Sequence, residues 1–164
     1  MKSESETEPL VNQLGQQLRE RGWRLATAES CTGGWIAKLV TDIPGSSEWF
    51  ETGVVTYSNR AKHQLLGVGL DLIDTHGAVS QAVVEAMVRG VLRISGADVA
   101  LAVSGIAGPG GGTEHKPVGT VWIACGGMRQ AVESECFLFQ GNRAQVRIQA
   151  AQMALERVLR LAKN

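Results

Sequence analysis

The sequence has no excess of charge of either sign, with 16 basic residues against 16 acidic ones over 164 positions. It therefore offers no basic face, and a nucleic-acid partner has no electrostatic support. Cysteine is scarce: Cys31, Cys125 and Cys136 show neither metal-ligand spacing nor an even disulfide framework. That usage fits a reducing compartment. The 3 histidines, His63, His76 and His115, form no recognisable zinc pattern with them and support no Ser-His-Asp triad. No apolar run approaches the roughly 18 residues that a membrane helix needs. The stretch from Met1 to Pro9 is acidic and polar, unlike a signal peptide. Repeats, linkers and a second domain are also missing, and the length suits one domain with a real core. These absences describe a soluble, cytoplasmic, single-domain chain over 1–164 with a loose start over 1–8, no membrane partner, and no metal or cofactor.

Glycine, by contrast, is plentiful: 20 residues in a chain that is 44% hydrophobic point to tight turns at strand ends. Pro9 suits the first turn of a helix, Leu10, Val11, Leu14 and Leu18 make its stripe, and Gly22 ends it. Trp23 to Glu29 reads as a strand and Gly34 to Thr41 as a helix. Phe50 to Thr56 is a second strand, followed by a helix that Ser58 or Asn59 can cap. Leu70 to Gly77 is ambiguous, with a short helical turn as one reading. Ser80 opens a helix striped by Val84, Met87, Val88, Val91 and Leu92, which Gly96 closes. Asp98 to Ser104 is a near-continuous apolar run, as in a strand covered on both faces. Gly119 to Cys125 and Ala131 to Phe139 read as a hairpin turning at Gly126-Gly127. Asn142 caps a last long helix ending near Ala162. Early alternation of helix and strand with a late hairpin predicts an α/β fold, a three-layer α/β/α sandwich around a mixed, mostly parallel sheet of about five strands.

Four stretches carry chemistry. Thr27-Ala28-Glu29-Ser30-Cys31-Thr32-Gly33-Gly34 lies where a strand turns into a helix. A nucleophile there, Ser30 or Cys31, meets the free N–H groups and positive end of the new helix. An N-cap followed by small packing residues explains the same letters. Tyr57 at a strand end and Lys62 in the next helix can approach each other, and burial can tune such a lysine for proton transfer. A solvated lysine beside a half-buried tyrosine is the plain alternative. Ser104-Gly105-Ile106-Ala107-Gly108-Pro109-Gly110-Gly111-Gly112 offers backbone N–H groups to an anion or is a flexible turn; it is neither a Walker loop nor a dinucleotide fingerprint. Arg143 and Arg147, four apart on one helix face, suit a phosphate or simply face solvent.

Taken together, Ala28 to Gly34, Val55-Thr56-Tyr57-Ser58-Asn59 with Lys62, Gly77-Ala78-Val79-Ser80, Ser104 to Gly111 and Lys116-Pro117-Val118-Gly119-Thr120-Val121 resemble the CinA C-terminal domain family. The resemblance runs from about Leu10 to the final helix. It implies a three-layer α/β/α domain, homo-oligomers, and, in stand-alone members, hydrolysis of nicotinamide mononucleotide (NMN) to nicotinic acid mononucleotide and ammonia. It also implies Ser30 as nucleophile with Tyr57 and Lys62 handling protons. Asn142 departs from the family, where Asp is expected before the arginine. On this reading the N–H groups at the start of the Gly34 helix hold the oxyanion. Cys31, Thr32, Gly33, Gly34, Ser46, Ser104, Gly105 and Arg143 are then expected at the substrate. The rivals are a nucleotide-binding regulatory module without turnover, and a hydrolase of another nucleotide such as ADP-ribose.

Overall fold

The computed structural model describes residues 7–164. The loose start expected over 1–8 lies, for residues 1–6, outside the described residues; Thr7 is buried and its hydroxyl accepts from Gln152 at 2.7 Å.

Five strands form one sheet in the order β2-β1-β3-β4-β5: β1 (Leu25–Glu29), β2 (Phe50–Val55), β3 (Val99–Gly105), β4 (Thr120–Gly127) and β5 (Glu133–Leu138). β1 pairs in parallel with β2 and β3, β4 runs antiparallel to β3, and β5 antiparallel to β4. Four strands therefore point one way and β4 the other. The helices are α1 (Glu8–Arg21), α2 (Trp35–Thr41), α3 (Asn59–Leu66), α4 (Leu70–His76), α5 (Gln81–Ser95) and α6 (Arg143–Lys163). The ambiguous Leu70 stretch is thus a two-turn helix. Among the described residues no helix is long and apolar enough to cross a membrane.

Side chains alternate across a strand, and here the two faces differ in size. Leu25, Val99, Leu101, Val103, Val121 and Ile123 face α1, α2 and α6. Ala26, Ala28, Ala100, Ala102 and Ala124 face α5, whose Val84, Met87, Val88 and Val91 fill the space. The alanine face lets α5 lie close to the sheet. α3 in turn lies close to α5: a Cβ on Gly90 would come within 2.2 Å of the Leu66 carbonyl oxygen. That approach fixes the height of α3, and with it the position of Lys62.

The hairpin turn is not at Gly126-Gly127, which belong to β4. The chain turns after them, and both glycines answer to close backbone. A Cβ at Gly126 would meet the Val132 Cα at 2.8 Å, and one at Gly127 the Asp98 carbonyl at 2.6 Å. Dense packing of neighbouring chain and a tight turn both select glycine, so the letters alone point to the commoner cause.

Candidate active site

Ser30 is the first residue beyond β1, and its N–H continues the ladder by donating to Val103 at 3.0 Å. The chain then doubles back: Gly33 N–H donates to the Ser30 carbonyl at 3.1 Å, and Gly33 and Gly34 take positive φ, 62° and 94°. Side chains rarely adopt such backbone. The turn leaves the Ser30 hydroxyl buried beneath the sheet's C-terminal edge.

Lys62 comes to it from α3. Ser58 caps that helix, accepting from Ala61 N–H at 3.0 Å, and Lys62 lies one turn on with only 1% exposure. Its Nζ donates to Ser30 Oγ at 2.9 Å, to the Thr56 carbonyl at 2.8 Å and to the Tyr57 carbonyl at 3.3 Å. Burial pulls its pKa down to about 8. Low polarity disfavours the ammonium, so the amine is within reach near neutral pH.

Cys31 behaves oppositely to the usual cysteine at a helix start. Its thiol is pushed up to about 12, chiefly by burial and further by the Glu29 carboxylate. A proton-bearing thiol is a poor nucleophile. The side chain packs into the core under α2 and α6.

Tyr57 meets Lys62 through its backbone carbonyl, not its phenol. The ring is 60% exposed, and its hydroxyl accepts from Arg143 Nη2 at 3.1 Å. Arg143 Nη1 donates to the Gly108 carbonyl at 2.8 Å. The guanidinium thus joins the glycine loop to the tyrosine at the rim. Ser104 donates to the Ala78 carbonyl at 2.8 Å, tying that wall to the α4–α5 connection. These groups enclose a cavity of about 230 Å³, lined by Ser30, Cys31, Tyr57, Asn59, Lys62, Ala78, Val79, Ser104, Gly105, Ala107 and Arg143.

Several expected residues lie elsewhere. Thr32, Gly33 and Gly34 follow the turn away from the cavity wall. Ser46 sits in a 3₁₀ turn (Ser46–Glu48) leading into Phe50, which pairs with Leu25 at the start of β1. That is the opposite end of the sheet from Ser30. The two arginines diverge, because Arg147 turns to the Cys31 and Thr32 carbonyls instead of joining Arg143.

The expected oxyanion donors at the start of α2 are also taken. Glu29, 1% exposed, accepts from Gly34 and Ile36 N–H with Oε2 at 3.0 and 3.1 Å, and from Ala37 N–H with Oε1 at 2.9 Å. The donors of this turn that neither Glu29 nor the turn itself engages are the N–H groups of Cys31 and Thr32. Glu29 lies in the first chemistry-bearing stretch, but its role is not local, because its carboxylate meets N–H groups 5 to 8 residues ahead. Asn59, Ala78 and Val79 lie inside the quoted motifs but have no distinctive chemistry in isolation. Among the described residues no three His, Cys, Asp or Glu side chains are grouped to hold a metal ion.

The chain matches the CinA C-terminal domain model over residues 7–162. It is 52% identical over 158 residues to a nicotinamide-nucleotide amidohydrolase PncC of Enterobacter agglomerans, covering 96% of both chains. It is 55% identical over 153 residues to a protein of the same name from Pseudomonas putida, covering 93% of this chain and 94% of that one. A crystal structure of the competence/damage inducible protein CihA from Agrobacterium tumefaciens superposes with a TM-score of 0.94 at 38% identity, covering 100% of this chain and 98% of that one. By motif, fold and full-length match, this chain belongs to the CinA C-terminal domain family.

Proposed function

We propose that this protein is a nicotinamide-nucleotide amidase, hydrolysing NMN to nicotinic acid mononucleotide and ammonia. What carries the reading is the buried Lys62 Nζ, 2.9 Å from Ser30 Oγ and with a pKa brought down to about 8. The names of relatives that match along nearly their whole length support the substrate.

The two backbone carbonyls give Lys62 a direction. Thr56 and Tyr57 accept two of its hydrogens, so in the neutral amine the remaining position, the lone pair, faces Ser30. The amine takes the hydroxyl proton as Oγ attacks the carboxamide carbon. The tetrahedral oxyanion is drawn to the Cys31 N–H at the cavity wall, with the Thr32 N–H one residue behind it in the turn, a donor of this kind being typically worth about 3 kcal/mol. The Lys62 ammonium then returns its proton to the leaving nitrogen, ammonia departs, and water releases the acid from Ser30 by the same steps in reverse.

The cavity volume supports a division of the substrate between the cavity and its rim. At about 230 Å³ it falls below the roughly 300–1,000 Å³ that whole ligands occupy. The nicotinamide ring enters between Ala78, Val79 and Ala107, against Ser104 and Gly105, and the phosphoribosyl group remains at the rim beside Tyr57 and Arg143. The same reading places the protein in the cytoplasm, acting as a homo-oligomer on a soluble nucleotide. Ammonia release from NMN by the purified protein, followed with a coupled glutamate dehydrogenase assay, tests it. A folded preparation that releases none overturns it.

A further inference from the structure

We infer that Arg147 is a positioning residue for the oxyanion donors, acting through the carbonyl oxygens of the turn that carries Ser30. The inference rests on the amidase reading of that turn. Arg147 lies one helical turn beyond Arg143 and does not line the cavity. Its Nε donates to the Cys31 carbonyl at 3.0 Å and its Nη2 to the Thr32 carbonyl at 2.8 Å. The guanidinium rests over the Trp35 ring, 5.1 Å from its centroid. The place is tailored: a Cβ on Gly33 would come within 3.0 Å of Nη2.

The consequence follows from planar trans peptides, in which each N–H points opposite to the carbonyl before it. With the Cys31 carbonyl held by Nε, the Thr32 N–H points away from Arg147. With the Thr32 carbonyl held by Nη2, the Gly33 N–H also points away, and it donates to the Ser30 carbonyl. With the Ser30 carbonyl so held, the Cys31 N–H is turned outward in its turn. One guanidinium therefore orients Thr32 N–H directly and Cys31 N–H through Gly33. Glu29 fixes the other side of the bend by holding the N–H groups of Gly34, Ile36 and Ala37. The pair clamps the turn between carbonyls gripped by a cation and amides gripped by an anion. Two carbonyls held by one rigid fork is a task for arginine and not for the single ammonium of lysine.

The test uses the full chain with Arg147→Ala, Arg147→Lys and Arg147→Gln. Two readouts are taken: NMN turnover resolved into kcat and KM, and the rate at which phenylmethylsulfonyl fluoride modifies Ser30, by intact mass. Arg147→Ala is expected to lower kcat on the order of 10²-fold, the scale lost with one oxyanion donor, with KM changed less than about threefold. Sulfonylation should slow in parallel. Arg147→Lys should recover part of both, and methylguanidinium should partly rescue Arg147→Ala. An Arg147→Ala protein with wild-type kcat, or a loss confined to KM, overturns the inference, as does unchanged sulfonylation. Should Arg147→Ala not fold, the lysine and glutamine variants carry the same comparison. A wild type that sulfonylates at Ser30 but releases no ammonia overturns the amidase reading instead, and the sulfonylation rates still decide the role of Arg147.

Discussion

Lys62 and Ser30, 32 residues apart in the chain, share a hydrogen bond of 2.9 Å at the C-terminal edge of the sheet. If the lysine is the base, Lys62→Met abolishes turnover while NMN binding stays within about tenfold, roughly 1.4 kcal/mol. Calorimetry with NMN as titrant reads the second quantity. A collapse of affinity would instead make Lys62 a phosphate ligand.

The lysine also sets a pH dependence. Its pKa falls from 10.5 to about 8, so kcat/KM for NMN rises with pH up to about 8 and then levels. Stability follows the same group. Between about 8 and 10.5 the unfolded chain binds the extra proton, so this contribution is fully present above about 10.5 and is lost as pH falls to about 8. The difference in urea midpoint between the wild type and Lys62→Met, measured across that interval, isolates it from other titrating groups. A difference that is flat with pH removes the claim.

Ser30→Ala loses at least about a thousandfold in turnover, the scale of a broken catalytic unit. Cys31→Ala loses less than about tenfold, about 1.4 kcal/mol in barrier, because its thiol is held protonated well above the working range. Iodoacetamide inactivates slowly or not at all. A dead Cys31→Ala beside an active Ser30→Ala would reverse the assignment.

Arg143 separates phosphate binding from chemistry. Arg143→Ala raises KM for NMN by about tenfold, the loss of one charge-assisted contact, and leaves KM for nicotinamide riboside, which lacks the phosphate, little changed. Equal losses on both substrates would instead make Arg143 a support of the cavity rim, through Tyr57 and the Gly108 carbonyl, and not a phosphate ligand.

Gly90→Ala tests the seating of α3. Alanine favours the helix by about 1 kcal/mol, but here its Cβ would lie 2.2 Å from a backbone oxygen. Overpacking of that kind costs about 1–3 kcal/mol, so the variant unfolds at lower urea and turns over more slowly as Lys62 is displaced. A stabilised variant with full activity would show that α3 is free to shift.

The sequence made some of this legible and hid the rest for identifiable reasons. Helix stripes and caps such as Ser58, Ser80 and Asn142 are local, and each appears where its letters place it. Ser30 and Lys62 stood out because each sits at a strand–helix junction. Ser46 misled because nothing local says which end of a strand a loop occupies; the register of Phe50 with Leu25 decides it. The start of α2 looked like free donors because Glu29 reaches forward over 5 to 8 residues to fill them. Arg143 and Arg147 share a helix face in projection. One turn of rise, however, sends the first to the rim and the second to the bend.

The contacts of α6 also bear on the order in which the protein becomes competent during synthesis. Arg147 grips carbonyls 115 and 116 positions upstream, and Val146, Ala150, Ala154, Leu155 and Val158 of the same helix share with α1 and α2 the covering of one face of the sheet. At about 5–20 residues per second, Ser30 and Lys62 leave the ribosome on the order of ten seconds before the helix that completes their surroundings. A nascent or prematurely stopped chain thus carries a serine and a lysine with an unclamped bend and an uncovered core. On the amidase reading, a chain stopped before α6 is therefore expected to hold Ser30 and Lys62 without turning over NMN.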